Sequence, residues 1–289
     1  NPVSIIVRKG RYIMSNQSTV VAFKSGTDSV IYKSQGSEFS FILSETVAQA
    51  GKPLKVKIKS IEILEKGPLK ATLRLRGWLA PDAKPGLRTI EILLSLCSGS
   101  PVLEVRHVIG FSFEDPAVGH MVEMIDTTSV SVPFKLTNNN NPATVELRGK
   151  SGIKMFPGDA VIQWEPDSFE FSKGKNSKTY QAQLNGVVTI PVDGGREFML
   201  SAVELPEQFP AGIARTKQGV TLNLFPEIIP KNRYTNRKTE HIHYFYLHTG
   251  KYVTRQGMEK EHCFYVGIVD KGSKIAKNAV ALQTRTVAM

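Results

Sequence analysis

The chain has 289 residues, with 37 Lys and Arg against 26 Asp and Glu for a formal net charge of +11, and 41% of it is hydrophobic. That apolar share excludes a disordered chain and can bury a sizeable core in one large domain or two smaller ones. No stretch approaches the roughly 18 to 20 apolar residues of a membrane-spanning helix, and Asn1-Pro2-Val3-Ser4 lacks the basic-then-apolar profile of a signal peptide. A soluble chain without a membrane partner is therefore expected, and its first residue, which is not Met, marks a processed form or an excised piece. Cys97 and Cys263 are too few for a zinc site or a disulfide framework. Each sits in an apolar run and reads as a buried free thiol.

Taken in chain order, the sequence predicts strands nearly everywhere. Thr19 to Phe23, Ser37 to Leu43, Leu54 to Leu64 and Leu69 to Arg76 alternate apolar and polar residues as half-buried antiparallel strands do. In the third, Leu54, Val56 and Ile58 face one way and Lys55, Lys57 and Lys59 the other. Further strands are expected over Arg88 to Leu96, Val102 to Ile109, Ser129 to Leu136, Gly186 to Ile190, Val220 to Phe225, Ile242 to Leu247 and His262 to Ile268. Turn residues separate them, among them Lys66-Gly67-Pro68, Lys84-Pro85-Gly86, Pro157-Gly158-Asp159 and Asp193-Gly194-Gly195. Helix is expected only as a turn or two near Ser44 to Ala50 and as a basic amphipathic piece over Lys274 to Leu282. Long strands without a blade-length repeat predict an all-β fold, a large antiparallel β-sandwich rather than a propeller. Thr137 to Pro142 and Ser172 to Thr179 read as exposed loops, the first a candidate subdomain seam.

Charge and chemistry concentrate near the C-terminus. Residues 231–289 hold eleven Lys and Arg against four Asp and Glu, so they carry +7 of the +11. Such a surface attracts polyanions. The sequence has no zinc finger, recognition helix or RNA-binding strand signature, so nucleic acid is not expected as a partner. Dinucleotide, P-loop, nucleophile-elbow and zinc-protease motifs are missing as well, and no cofactor or metal is expected. Four of the six histidines, His241, His243, His248 and His262, fall beside Tyr244, Tyr246, Tyr252, Lys251, Arg255 and Lys260. Imidazoles, phenols and cations are what β-elimination from a uronic acid requires: a cation for the carboxylate, a base for the C5 proton and a donor for the leaving oxygen. The same groups also bind an acidic sugar without chemistry.

Gly67-Pro68-Leu69, then Gly99-Ser100-Pro101, then Ile213 to Glu227 and Arg255 to His262 together resemble the exo-rhamnogalacturonan lyase family, over roughly residues 15 to 268. In that family a β-rich N-terminal part precedes a helical (α/α) toroid. The family's Gly-x-x-Arg-Thr-His-Glu element is met here only as Gly257-Met258-Glu259-Lys260-Glu261-His262, without the Arg-Thr pair. The resemblance implies that residues 1–289 are the β-sandwich region of a carbohydrate-active, secreted or periplasmic protein, the toroid lying outside this chain. Acidic polysaccharide or oligosaccharide is the implied partner, with a toroid of the same protein as a second. The candidate catalytic residues are His262, Arg255, Tyr246 and His243, and His262 is preferred because an imidazole near neutrality serves as base or acid. Its position at the entrance of an apolar strand is expected to let its side chain face a cleft. Candidate substrate-binding residues are Lys251, Lys260, Arg215, Lys217 and Trp164. Trp164 and Trp78 are the aromatics able to stack on a sugar face, with burial in the core as the competing reading. Two functions stay open, a polysaccharide lyase and a non-catalytic carbohydrate- or polyanion-binding module.

Overall fold

The computed structural model describes residues 2–48, 53–80, 89–111, 122–124, 127–137, 139–227, 253–255 and 258–273, and these contain strands and no helix. The strands, in chain order, are β1 (Ser4–Arg8), β2 (Arg11–Ser15), β3 (Thr19–Lys24), β4 (Ser29–Ser34), β5 (Ser37–Ile42), β6 (Glu45–Ala48), β7 (Pro53–Lys66) and β8 (Lys70–Ala80). They continue with β9 (Thr89–Cys97), β10 (Val102–Phe111), β11 (Val122–Met124), β12 (Thr127–Leu136), β13 (Ala143–Leu147), β14 (Lys150–Met155), β15 (Asp159–Glu165) and β16 (Ser168–Lys173). The remainder are β17 (Asn176–Tyr180), β18 (Leu184–Val192), β19 (Arg196–Ala202), β20 (Ala211–Arg215), β21 (Gly219–Phe225), β22 (Val253–Arg255) and β23 (Met258–Asp270).

Every pairing is antiparallel, and the strands make two large sheets. The first runs β1-β2-β3-β4-β5-β12-β21-β20-β15-β16-β17. The second runs β7-β8-β9-β10-β23-β19-β18-β13-β14. β12 holds β5 along its C-terminal half and β6 along its N-terminal half, and β6 then pairs with the start of β7, which stitches the sheets together. β11 and β22 form a separate two-stranded ribbon.

The alternation read from the sequence decides what lies between the sheets. On β9, Ile90, Ile92, Leu94 and Leu96 are buried while Glu91 and Leu93 are half-exposed. Phe39, Phe41 and Phe134 of the first sheet meet Phe198 and Phe264 of the second. Phe39 packs edge-on to Phe198 at 5.1 Å between ring centroids, and Phe134 packs edge-on to Phe264 at 5.9 Å. These tilted geometries suit the ring quadrupole better than face-to-face stacking. Tyr32, stacked on Phe39 at 4.4 Å, donates its buried hydroxyl to the Pro101 carbonyl and accepts the Ile268 N–H at 3.4 Å, so its phenol is satisfied across the seam.

Three expectations need correcting. Glu45–Ala48, expected to begin a helical turn, is strand β6, because β12 offers it an unpaired ladder edge. Ser172 to Thr179, expected as a loop, is the hairpin of β16 and β17, closed by Gly174 at φ +59°, a left-handed position suited to glycine. Both cysteines are free as expected, but Cys97 is exposed at the end of β9 and Cys263 half-buried, since neither side chain points between the sheets. The expected strand over Ile242 to Leu247 and helix over Lys274 to Leu282 lie outside the described residues.

Phe134 touches aromatic rings of both sheets. Phe134→Ala is therefore expected to destabilise the fold by about 3 to 5 kcal/mol, the usual cost of emptying a buried phenylalanine site. A urea titration followed by tryptophan fluorescence would show the lowered midpoint, and an unchanged midpoint would contradict this packing.

Candidate functional site

The side of the second sheet turned away from the core carries a cleft of about 750 Å³, formed over β8, β9, β10 and β23. Its composition follows from register. One cross-strand row runs Arg76, Glu91, Val108, Glu261, and the next runs Arg74, Leu93, Arg106, Cys263. A third row runs Trp78, Thr89, Gly110, Glu259, with Gly110 forming floor where a Cβ would stand 2.3 Å from the Thr89 hydroxyl. Residues on these strands alternate between faces, so the apolar positions that build the core leave charged ones on this side.

The charges in and beside the cleft hold each other. Arg76 Nε lies 2.5 Å from Glu91 Oε2, Arg74 Nη2 lies 2.5 Å from Glu62 Oε2, and Arg106 sits 3.0 Å from Glu104 and 3.7 Å from Glu261. Most of these groups are well exposed, so each pair contributes little to stability, on the order of 0 to 1 kcal/mol. What they supply is a fixed array of donors and acceptors. Trp78, half-buried beside Thr89, has the Lys59 ammonium 5.5 Å from its ring centroid. The Cys263 thiol is pushed up to about 12, first by burial and then by Glu104 and Glu261, so it stays protonated and is no nucleophile at neutral pH.

His262 is not in this cleft. Its side chain points the opposite way, between the sheets, in the row Leu75, Ile92, His107, His262. It is 6% exposed, packs 5.4 Å from the Phe225 ring and stands beside the fully buried His107. Neither imidazole has a hydrogen-bond partner by geometry among the described residues. Burial pushes the His107 pKa down to about 4, against a smaller opposing effect of the backbone of His107 and Leu43. His262 is held well below the ordinary histidine value by burial, and then by His107 and Lys260. A strand entrance thus places His262 inward rather than toward a cleft, because period two carries it to the same side as Phe264 and Val266.

The other sequence-derived candidates separate. Arg215 is 1% exposed and its guanidinium donates to four backbone carbonyls, of Thr216 and Gly219 through Nη1 and of Asn139 and Asn141 through Nη2. It is a scaffold for two loops rather than a surface contact. Trp164 is 4% exposed in the core, the competing reading for that residue. Lys260, opposite Ile109, is half-buried, and burial lowers its pKa from the ordinary lysine value. Lys217 is exposed beside a second, smaller cleft. Arg255 lies on β22 opposite Val122, while Tyr246, His243 and Lys251 lie outside the described residues. No group of three or more metal-ligating side chains occurs among the described residues.

No family model matches the chain, and no curated protein does either. Solved structures do resemble it in fold. An α-mannosidase from Enterococcus faecalis superposes with a TM-score of 0.55 at 12% identity, covering 98% of this chain and 32% of that one. An α-N-acetylgalactosaminidase from Bifidobacterium bifidum gives 0.52 at 11% identity over 95% of this chain and 39% of that one. An α-galactosidase from Lactobacillus brevis gives 0.50 at 6% identity over 91% and 40%. At these identities the likeness establishes the fold alone, an antiparallel β-sandwich of two large sheets. The chain spans between a third and two fifths of the length of these three enzymes.

The buried histidine pair has a consequence for stability. An unfolded chain takes up protons at both imidazoles as pH falls through about 6.5, whereas folded His107 resists until about 4. The contribution of these histidines to stability is therefore full above about pH 6.5 and is lost as pH falls from 6.5 towards 4, by roughly 3 kcal/mol for His107. Urea midpoints at pH 7, 5.5 and 4.5 should fall in that order, and the slope should flatten in His107→Leu/His262→Leu. An identical slope in the double variant would show that other groups cause it.

Proposed function

We propose that this chain is the carbohydrate-binding β-domain of a glycoside-hydrolase-type protein, and that the cleft over β8, β9, β10 and β23 binds a neutral sugar unit. The observation that carries this reading is the content of that cleft, which brings two guanidinium groups, Arg76 and Arg106, together with three carboxylates, Glu91, Glu259 and Glu261. Carboxylates accept from sugar hydroxyls and guanidinium groups donate to them, so neighbouring hydroxyls of a pyranose meet complementary partners at the spacing of adjacent strands. Trp78 at the edge offers an aromatic surface beside those groups. The likeness in fold to an α-mannosidase and an α-galactosidase supports a hexose as the unit bound. A polyanion suits this cleft poorly, since its three carboxylates outnumber its two guanidinium groups.

The polysaccharide-lyase reading needs a base in contact with substrate. His262 is the residue preferred from the sequence, and its burial against His107 and Phe225 removes it from solvent. The loose Gly-Pro-Leu and Gly-Ser-Pro resemblance has no support from the family comparison. Binding by this chain, as part of a larger hydrolytic protein, is the better reading.

Calorimetric titration with short mannose- and galactose-containing oligosaccharides tests it. Binding should weaken about tenfold or more in Glu91→Gln/Arg106→Gln, because charge-assisted hydrogen bonds are worth roughly 1.5 to 3 kcal/mol each. The melting temperature should stay within a few degrees, since the pairs are exposed. Absence of binding to any neutral oligosaccharide would overturn the proposal, and a rise in absorbance from an unsaturated product on rhamnogalacturonan would restore the lyase.

A further inference from the structure

A second cleft, of about 530 Å³, lies on the outer side of the first sheet, where β5, β12 and the turn before β21 converge. In its row Ser40 stands beside Lys135, and Lys135 faces Gly219. Lys217 and Gln218 come from the turn, and Asn140 from the loop after β12. Its charge excess is positive, whereas that of the larger cleft is negative. Glu38 is held by Lys33 at 2.6 Å, while neither Lys135 nor Lys217 has an ion-pair partner among the described residues. Two exposed ammonium groups with amides and a hydroxyl between them make a local positive field surrounded by neutral donors and acceptors.

The loops that carry these groups are fixed from beneath. Arg215 ties the carbonyls of Asn139 and Asn141 to those of Thr216 and Gly219 through one planar guanidinium, at distances of 2.5 to 2.9 Å. Asn139 and Asn141 both donate side-chain N–H groups to the Pro191 carbonyl, and the Leu136 N–H donates to Gln218 at 2.7 Å. Two loops far apart in sequence are thereby locked at one separation. Burying an arginine costs free energy, and here four acceptors offset it. The result is a preorganised rim carrying Asn140 on one side and Lys217 on the other. Preorganisation reduces the entropy lost when a ligand is bound.

The geometry points to this second cleft as a subsite for an acidic sugar unit, its carboxylate set between Lys135 and Lys217 and its hydroxyls on Asn140, Gln218 and Ser40. The inference rests on the carbohydrate reading above and extends it from neutral to charged units at a separate place. It gives Arg215 a positioning role, since that side chain reaches only the backbone of the rim.

Digalacturonate and the neutral galactose disaccharide are the probes, titrated calorimetrically into the whole chain at low and physiological salt. The acidic disaccharide is expected to bind about fivefold or more tighter than the neutral one, with a preference that shrinks as salt screens the lysines. Lys135→Gln/Lys217→Gln should abolish the preference, with an unchanged dichroism spectrum because both side chains are exposed. Equal binding of the two disaccharides, a preference that survives in the double variant, or displacement of digalacturonate by inorganic sulfate at equal concentration would each overturn the inference. If neutral oligosaccharides bind in a Glu91-dependent way while digalacturonate shows no preference, only this subsite falls. If no sugar of either kind binds, the carbohydrate reading falls with it.

Discussion

The ladder between β10 and β23 is the constraint on which the rest of the molecule depends. It pairs Val102 with Gly267 and continues to Phe111 with Met258, joining segments about 150 residues apart. Gly267 enforces the close approach, since a Cβ there would stand 2.3 Å from the Pro101 carbonyl. A slip of β23 by one residue would turn Glu261 into the core and Phe264 into water. The same register that places Arg106 and Glu261 on the open side places His107 and His262 side by side inside. The cleft and the depressed histidines are thus two faces of one pairing.

A second constraint comes from the first sheet. β12 is flanked by β21 on one side and by β5 and then β6 on the other, so its ten residues organise three neighbours. At its C-terminal end the chain leaves the sheet into the loop that Arg215 captures. Phe134 faces the core and Lys135 the smaller cleft, so one strand sets both the aromatic seam and the charge at the surface. Each face of the sandwich obtains its chemistry from residues whose immediate neighbours are spent on packing.

Much of this was legible in the sequence. Alternation in Ser37 to Leu43, Leu54 to Leu64 and Val220 to Phe225 was sufficient for strands, and Gly-rich turns for their separation, because both signals are local. The sandwich followed from strand length and the lack of a repeat. The larger cleft was not legible, although Arg76, Glu91 and Arg106 occupy the polar phase of strands that the sequence identifies. Their meeting depends on which strand lies next to which, and β23 reaches β10 across most of the chain. The orientation of His262 was misread for the opposite reason. A strand start looks open in sequence, but the parity shared with Phe264 and Val266 already assigned it inward. Arg215 deceived by composition, because a guanidinium that saturates four carbonyls looks in sequence like one that waits for a ligand.

The strand edges of the two sheets are unequal in how they meet another chain. β7 carries two bulges and a run of lysines and glutamates along its free length, which spoil the straight template that a foreign strand would need. β14 and β17 end their sheets with lysines, Lys150, Lys154 and Lys178, whose charges would be crowded by any added strand. β1 is different, since it is the outermost strand of the first sheet and shows Ile6 at 44% and Val7 at 48% exposure. Among the described residues, its shortness and the flanking Arg8 and Arg11 guard it. β1 is therefore, among the described residues, the sheet margin most open to pairing with a strand of another chain.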